Sequence, residues 1–260
     1  MDKLFPVGLP RFRVLGPLEV SAAGARPDLG GTRQRTLLTL LLLESGNTVP
    51  LPRIVDAVWG EAPPDSAVAQ VRICVSRIRR ALKECGDPGI LRTVPGGYLI
   101  NPPRYAVDLH LFRDTVSTAE QLREQGDRFA ALRALRTALD LWYGPAASGL
   151  ESAVLENIAA GLHEERIAAL GDRIDLDLEL GRHRHVVAEL RHLVMEHPFR
   201  ERFAAQFMIA LYRDDRQAEA LDLFRQVRRR FAEELGIEPS LRLRQLERAV
   251  LAQDLVLHGA

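Results

Sequence analysis

Four arginines crowd one short stretch, VRICVSRIRRALKECG at residues 71–86, whose spacing is that of an amphipathic helix. Placed at about 100° per residue, Val68, Val71, Val75, Ile78 and Leu82 fall in a stripe about 80° wide, which is expected to be buried. The opposite side carries Ser66, Ala69, Gln70, Ile73, Ser76, Arg77 and Arg80, with Arg72 and Arg79 at one edge of the stripe. No acidic residue stands between Gln70 and Lys83, where a plain exposed helix interleaves Glu with Arg. Such a face calls for an anion, and a long straight helix fits the DNA major groove. There Arg77 and Arg80 offer bidentate donors to guanine edges or clamp phosphates, Gln70 can read adenine, and Ile73 can meet a thymine methyl. Ser76 is adaptable. Arg72 and Arg79 suit phosphate contacts, which position the protein without specifying sequence. Arg33 and Arg35, at the start of an earlier helix, add phosphate contacts beside its free N–H groups. Arg92 lies where a hairpin would meet backbone or minor groove. The alternative is that these arginines pair with an acidic half of the same chain.

The flanking elements suit that role. FRVLGPLEV at 12–20 reads as a short strand pair broken at Gly16-Pro17, and SAAGARPDLGG as loop. Thr32 is a candidate N-cap for a first helix through RQRTLLTLLLLESG, with Gly46 placed to end it. LPRIVDAVW gives a second helix, stopped by Gly60 and Pro63-Pro64. Asp65 or Ser66 can cap the third, which runs to Gly86. ILRTVPGGYLI then reads as a hairpin turning at Pro95-Gly96-Gly97. Strands, three helices and a terminal hairpin are the element order of a winged helix-turn-helix.

NPPRY at 101–105 is the linker candidate, dividing the chain into 1–104 and 105–260. Beyond it the pattern is helical to the end. Gly126, Gly181 and Asp215 each open a phrase with a small or β-branched apolar residue five positions on (Ala131, Val186, Ala220) and a larger one nine positions on (Leu135, Leu190, Phe224). The last two copies have the 34-residue period of tetratricopeptide repeats, and an insertion around GPAASGLESA separates the first two. Stacked helix pairs of this kind bury both positions and leave a groove for a partner. An ordinary helical bundle is the alternative.

Composition agrees with two packed aliphatic cores: 260 residues, 47% apolar and only 6% aromatic. Residues 1–100 carry 13 Lys and Arg against 9 Asp and Glu, whereas the chain as a whole has 35 of each, so a basic half precedes an acidic one. The longest greasy run, LLTLLLLE at 37–44, is far short of the ~20 residues that span a bilayer. With no basic segment and apolar core at the N-terminus, a soluble cytoplasmic protein is expected. Cys74 and Cys85 lie too far apart along one helix for a disulfide. His183, His185, His192 and His197 gather in one region, and His185 with Glu189 or His192 with Glu196 has the spacing of a metal pair. A lone pair is weak support for a site, so no metal, cofactor or catalysis is expected. An interaction adaptor that no longer touches DNA, or an effector in the helical groove, are further readings.

The run LGPLEV…GGTRQRTLLTLLLLESGNTVPLPRIVDAVWGEAPPDSAVAQVRICVSRIRRAL…ILRTVPGGYLI resembles the DNA-binding domain of the Streptomyces antibiotic regulatory protein family, of the OmpR-type winged-helix class. From about Asp108 to ELGIEPSLRLRQLERAVL at 234–251, the chain is similar to the same family's bacterial transcriptional activation domain, a tetratricopeptide-like helical unit. The resemblance implies a pathway-specific activator of antibiotic biosynthetic genes. Such an activator binds direct repeats near the −35 promoter region, two protomers in tandem, and recruits RNA polymerase holoenzyme partly through sigma. It carries DNA contacts onto Gln70, Ile73, Ser76, Arg77 and Arg80, and more loosely onto Trp59, Arg92, Thr93 and Tyr98. Val94 stands where the family's wing often has a basic residue. The resemblance also implies a small stand-alone member.

Overall fold

The computed structural model of the chain describes residues 11–21, 27–84 and 89–254. The expected helix end at Cys85-Gly86, part of the loop after Ser21 and the extreme N-terminus lie outside those residues.

The first elements are a strand pair, β1 (Arg11–Arg13) antiparallel to β2 (Glu19–Ser21) with Phe12 opposite Val20, as the Gly16-Pro17 break implies. Three helices follow: α1 (Thr32–Leu43), α2 (Leu51–Trp59) and α3 (Ala67–Glu84). Thr32 turns out to be the first helical residue rather than the cap. Gly31 holds the cap position and no side chain caps the helix. The helix ends at Leu43, and Gly46 lies beyond it, donating its N–H to Ile100 O at 2.9 Å. Leu37, Leu38, Leu40, Leu41 and Leu42 are fully buried, because a helix apolar on every side has to be surrounded. α2 and α3 pack on it. β4 (Leu91–Val94) and β5 (Gly97–Ile100) form the expected hairpin. A third strand, β3 (Thr48–Pro50), pairs with β5 to give the antiparallel order β3-β5-β4. Three residues with one buried side chain carry too little pattern to be read as a strand.

The rest is built of helix pairs: α4 (Asp108–Glu124) with α5 (Arg128–Leu139), α6 (Ala153–Glu179) with α7 (His183–Glu196), and α8 (Glu201–Arg213) with α9 (Gln217–Arg230), closed by α10 (Leu241–Leu251). It is not helical throughout, since residues 140–152 form an irregular segment. The three pairs share one turn. Gly126, Gly181 and Asp215 adopt φ of 85°, 70° and 59°. Each donates its N–H three residues back, and the following residue donates five back: Asp127 to Leu122, Arg182 to Asp177, Arg216 to Leu211. This is the Schellman closure of a helix C-terminus, used in each pair and again after α10, where Gln253 has φ of 53° and Asp254 donates to Ala249 O. The repeat positions behave as expected: Ala131, Leu135, Val186, Leu190, Ala220 and Phe224 are all at most 3% exposed. The chain is therefore an α+β winged helix-turn-helix followed by a tetratricopeptide-like all-α region.

Packing divides it into two compact bodies, 1–118 with 137–167, and 119–136 with 168–260. The first includes the start of α4 and the irregular segment for a visible reason. The buried Asp108 carboxylate accepts the N–H groups of Val14, Leu15 and Leu109 at 2.8–3.0 Å. Tyr143 and Ala147 donate their N–H groups to Leu15 O and Val14 O, both at 3.1 Å. The segment between β1 and β2 is thus hydrogen-bonded on both sides by residues far along the chain.

Candidate nucleic-acid interface

α3 presents the site. Val71, Val75, Ile78 and Leu82 are buried, so the opposite side is left to solvent: Arg72, Ser76, Arg77 and Arg80 are exposed, and Ile73 is 53% exposed. Val68 departs from expectation at 39% exposed. The buried arc is rotated away from it, towards the small residues Ala67, Cys74 and Ala81, all at most 4% exposed. Burial of Cys74 pushes its thiol pKa up, opposed by the charges of Arg33 and Arg77. Arg72, Arg77 and Arg80 make no hydrogen bond or ion pair among the described residues. Arg77 and Arg80 line a shallow concavity with Asp28, Leu29 and Glu84.

Gln70 is already engaged. Its Nε2 donates to Ser66 Oγ at 2.9 Å, and its Oε1 accepts from Arg33 Nη1 at 2.6 Å. The Arg33 guanidinium also lies 5.5 Å from the Trp59 ring centroid. Arg33, Trp59 and Gln70, predicted separately, therefore meet where the start of α1, the end of α2 and the start of α3 converge. Ser66, expected on the free face and as a possible cap, belongs to that cluster as the acceptor of Gln70, a role the sequence reading did not assign. The available signal was its four-residue spacing from Gln70. α1 begins there with no acidic residue in its first turn, so its N-terminal N–H groups add positive potential.

The other predicted residues separate into two kinds. Arg35 Nη2 donates to Leu18 O at 2.9 Å and is half-buried, bracing the segment before β2. Arg79 Nε donates to Leu91 O at 3.1 Å and its Nη2 to Thr93 Oγ1 at 2.9 Å, which ties α3 to β4. These two arginines hold elements together. Arg92 and Thr93 are exposed on the wing, with Arg92 Nε donating to Gly89 O at 3.3 Å. Tyr98 sits on the central strand β5 opposite Val49 and Thr93 and is only 7% exposed, so its ring is withdrawn into the fold.

Of the histidine pairs, His192 Nε2 lies 3.6 Å from Glu196 Oε2 on a well-exposed face, while Glu189 is bonded to Arg173 rather than held for His185. Among the described residues no group of three or more His, Cys, Asp or Glu could hold a metal ion. No helix among them is long and apolar enough to cross a membrane.

Two family models match the chain: "Transcriptional regulatory protein, C terminal" over residues 29–100, and "Bacterial transcriptional activator domain" over residues 107–251. Regulatory protein DnrI of Streptomyces peucetius is 34% identical over 252 residues, covering 94% of this chain and 93% of DnrI. Regulatory protein AfsR of Streptomyces coelicolor is 41% identical over 248 residues, but this chain spans only 25% of its length. The solved structure of Mycobacterium tuberculosis EmbR in complex with a low affinity phosphopeptide superposes with a TM-score of 0.90 at 33% identity, over 94% of this chain and 65% of that one. With both models matched in order and DnrI aligned almost end to end, the chain belongs to the Streptomyces antibiotic regulatory protein family.

Proposed function

We propose that this chain is a sequence-specific DNA-binding activator of antibiotic biosynthetic genes that lays α3 in the major groove of promoter DNA. The observation that carries the reading is the free face of α3. Three exposed arginines without an ion pair among the described residues flank an isoleucine that is 53% exposed. Unpaired guanidinium groups fit guanine edges or phosphates, and an apolar side chain among them fits a thymine methyl. The Arg33–Gln70–Ser66 cluster fits the role of holding Arg33 beside the α1 N-terminus for a phosphate. In this reading the functional division of labour falls at residue 104. The winged helix reads direct repeats near the −35 element, two protomers stand in tandem, and the helical repeats engage RNA polymerase holoenzyme, including sigma. The protein would act in the cytoplasm, without cofactor or catalysis.

The test is fluorescence anisotropy of labelled DNA carrying a direct repeat, over a salt series, for the wild type and Arg77→Ala. The wild type is expected to bind with steep salt dependence. Arg77→Ala should lose about 1–3 kcal/mol and part of its preference for the repeat. A loss equal on all sequences, with a salt slope lower by about one, would make Arg77 a phosphate contact only. Wild-type binding that does not distinguish the repeat from random DNA would overturn the reading and favour an adaptor.

A further inference from the structure

Repeat geometry does not account for the whole helical region. Gly181 and Asp215 are separated by a full repeat period, whereas Gly126 and Gly181 stand 55 residues apart, and the surplus includes the irregular segment 140–152. That segment and the first half of α6 enclose an open cleft of about 390 Å³, within the roughly 300–1,000 Å³ range of small-molecule sites. We propose that this cleft binds a small aromatic anion, such as an aromatic carboxylate.

The lining supplies each part of that chemistry. Ala146, Ala159 and Ala160 present only methyl groups, which leaves space for a flat apolar body. Trp142 forms an aromatic wall. It is 8% exposed, and its indole N–H, itself shut off from solvent, has no hydrogen-bond acceptor among the described residues, an arrangement that costs free energy. Arg166 lies with its guanidinium 5.3 Å from the Trp142 ring centroid and makes no ion pair among the described residues, so it can meet a carboxylate. Glu156 and His163 are the other ionisable groups of the lining. Glu156 precedes Arg166 by ten residues on α6, so their backbones are about 15 Å of helical rise apart. The ligand's acid therefore belongs beside Arg166.

The wall is also held in place. Ala147 has φ of 55°, a strained value for a residue with a side chain, and its N–H is fixed on Val14 O at 3.1 Å.

The probe is 8-anilinonaphthalene-1-sulfonate, titrated into the full chain carrying Trp59→Phe. Only two tryptophans are present, so this leaves Trp142 as the sole tryptophan donor. Expected is saturable one-to-one binding with quenching of Trp142 emission, weakened about tenfold by Arg166→Gln and abolished by Ala159→Phe. 2-Naphthoate should displace the probe, and neutral 2-naphthalenemethanol should not. Circular dichroism melts show whether each variant is folded. If Ala159→Phe unfolds, Arg166→Gln decides alone. Affinity unchanged by Arg166→Gln, equal displacement by acid and alcohol, or binding that never saturates would each overturn the proposal.

Discussion

A carboxyl group that is 2% exposed and faces three backbone N–H donors is in conflict with itself. The donors favour the anion, while removal from water favours the acid. At Asp108 burial prevails, and the pKa is raised from 3.8 to about 6, with the N–H groups of Val14, Leu15 and Leu109 and the charge of Arg13 pulling the other way. Because the folded state holds this proton more tightly than the unfolded chain, Asp108 contributes most stability below about pH 4 and loses that contribution as pH rises through 6. A gap of this size corresponds to about 3 kcal/mol at most. Urea titrations at pH 4 and pH 7, compared between the wild type and Asp108→Asn, isolate it, since the lowered carboxyl groups of Glu219 and Glu238 are common to both. The difference between the two proteins should grow in favour of the wild type as pH falls. A difference independent of pH would show that Asp108 does not titrate in this window. The sequence did not mark this role, because two of its three partners, Val14 and Leu15, lie 94 and 93 positions away and leave no local pattern. The free face of α3 was legible because helical period is local. The engagement of Gln70 by Arg33 was not, since it joins residues 37 apart.

At the scale of elements, the helices declared themselves through periodicity, and the repeat through its turn residues. Gly126 and Gly181 occupy left-handed backbone, and Asp215 adopts the same conformation because a short polar side chain tolerates it better than most. No atom lies within 4 Å of where a Cβ would stand on Gly181, so a substitution there tests backbone conformation alone. Gly181→Ala is expected to cost about 1–2 kcal/mol, read as a lower urea midpoint with unchanged slope. The same replacement at Gly161, in the middle of α6 with open space beside it, should instead stabilise by a few tenths to about 1 kcal/mol. If both behave alike, the turn is not what closes the pair. The element that sequence reasoning missed, β3, is too short to carry a pattern despite its β-branched Thr48 and Val49, and exists because β5 offers it a partner across some fifty residues. Val68 was misplaced for a related reason. Hydrophobicity ranks it above Ala67, Cys74 and Ala81, but the buried arc of α3 turns towards those small residues instead.

For the whole molecule, the proposed function poses the question of how a chain with one such helix would read a repeated site. Two copies on a direct repeat face the same way, so the contact between them joins different surfaces of each, unlike the two-fold contact of a palindrome-binding dimer. In the proposed arrangement, cooperative binding would depend on both copies of α3 entering the major groove from one side of the duplex. Inserting about 5 bp between half-sites should abolish cooperativity, and inserting about 10 bp should restore part of it. Inverting one half-site should leave single-site affinity intact while removing cooperativity. Gel-shift titrations on these four DNAs measure each term. Equal cooperativity on direct and inverted repeats would sink the tandem arrangement and point to a two-fold dimer. The sequence conveyed the basic half and the acidic half that suit such an assembly, because charge adds up residue by residue. It did not convey that Asp108, Tyr143 and Ala147 bind the segment between β1 and β2. That linkage places part of the helical region in the same compact body as α3. Spacing mutants of the DNA therefore probe a body larger than the winged helix, and the Asp108→Asn variant should weaken cooperative binding more than binding to a single half-site.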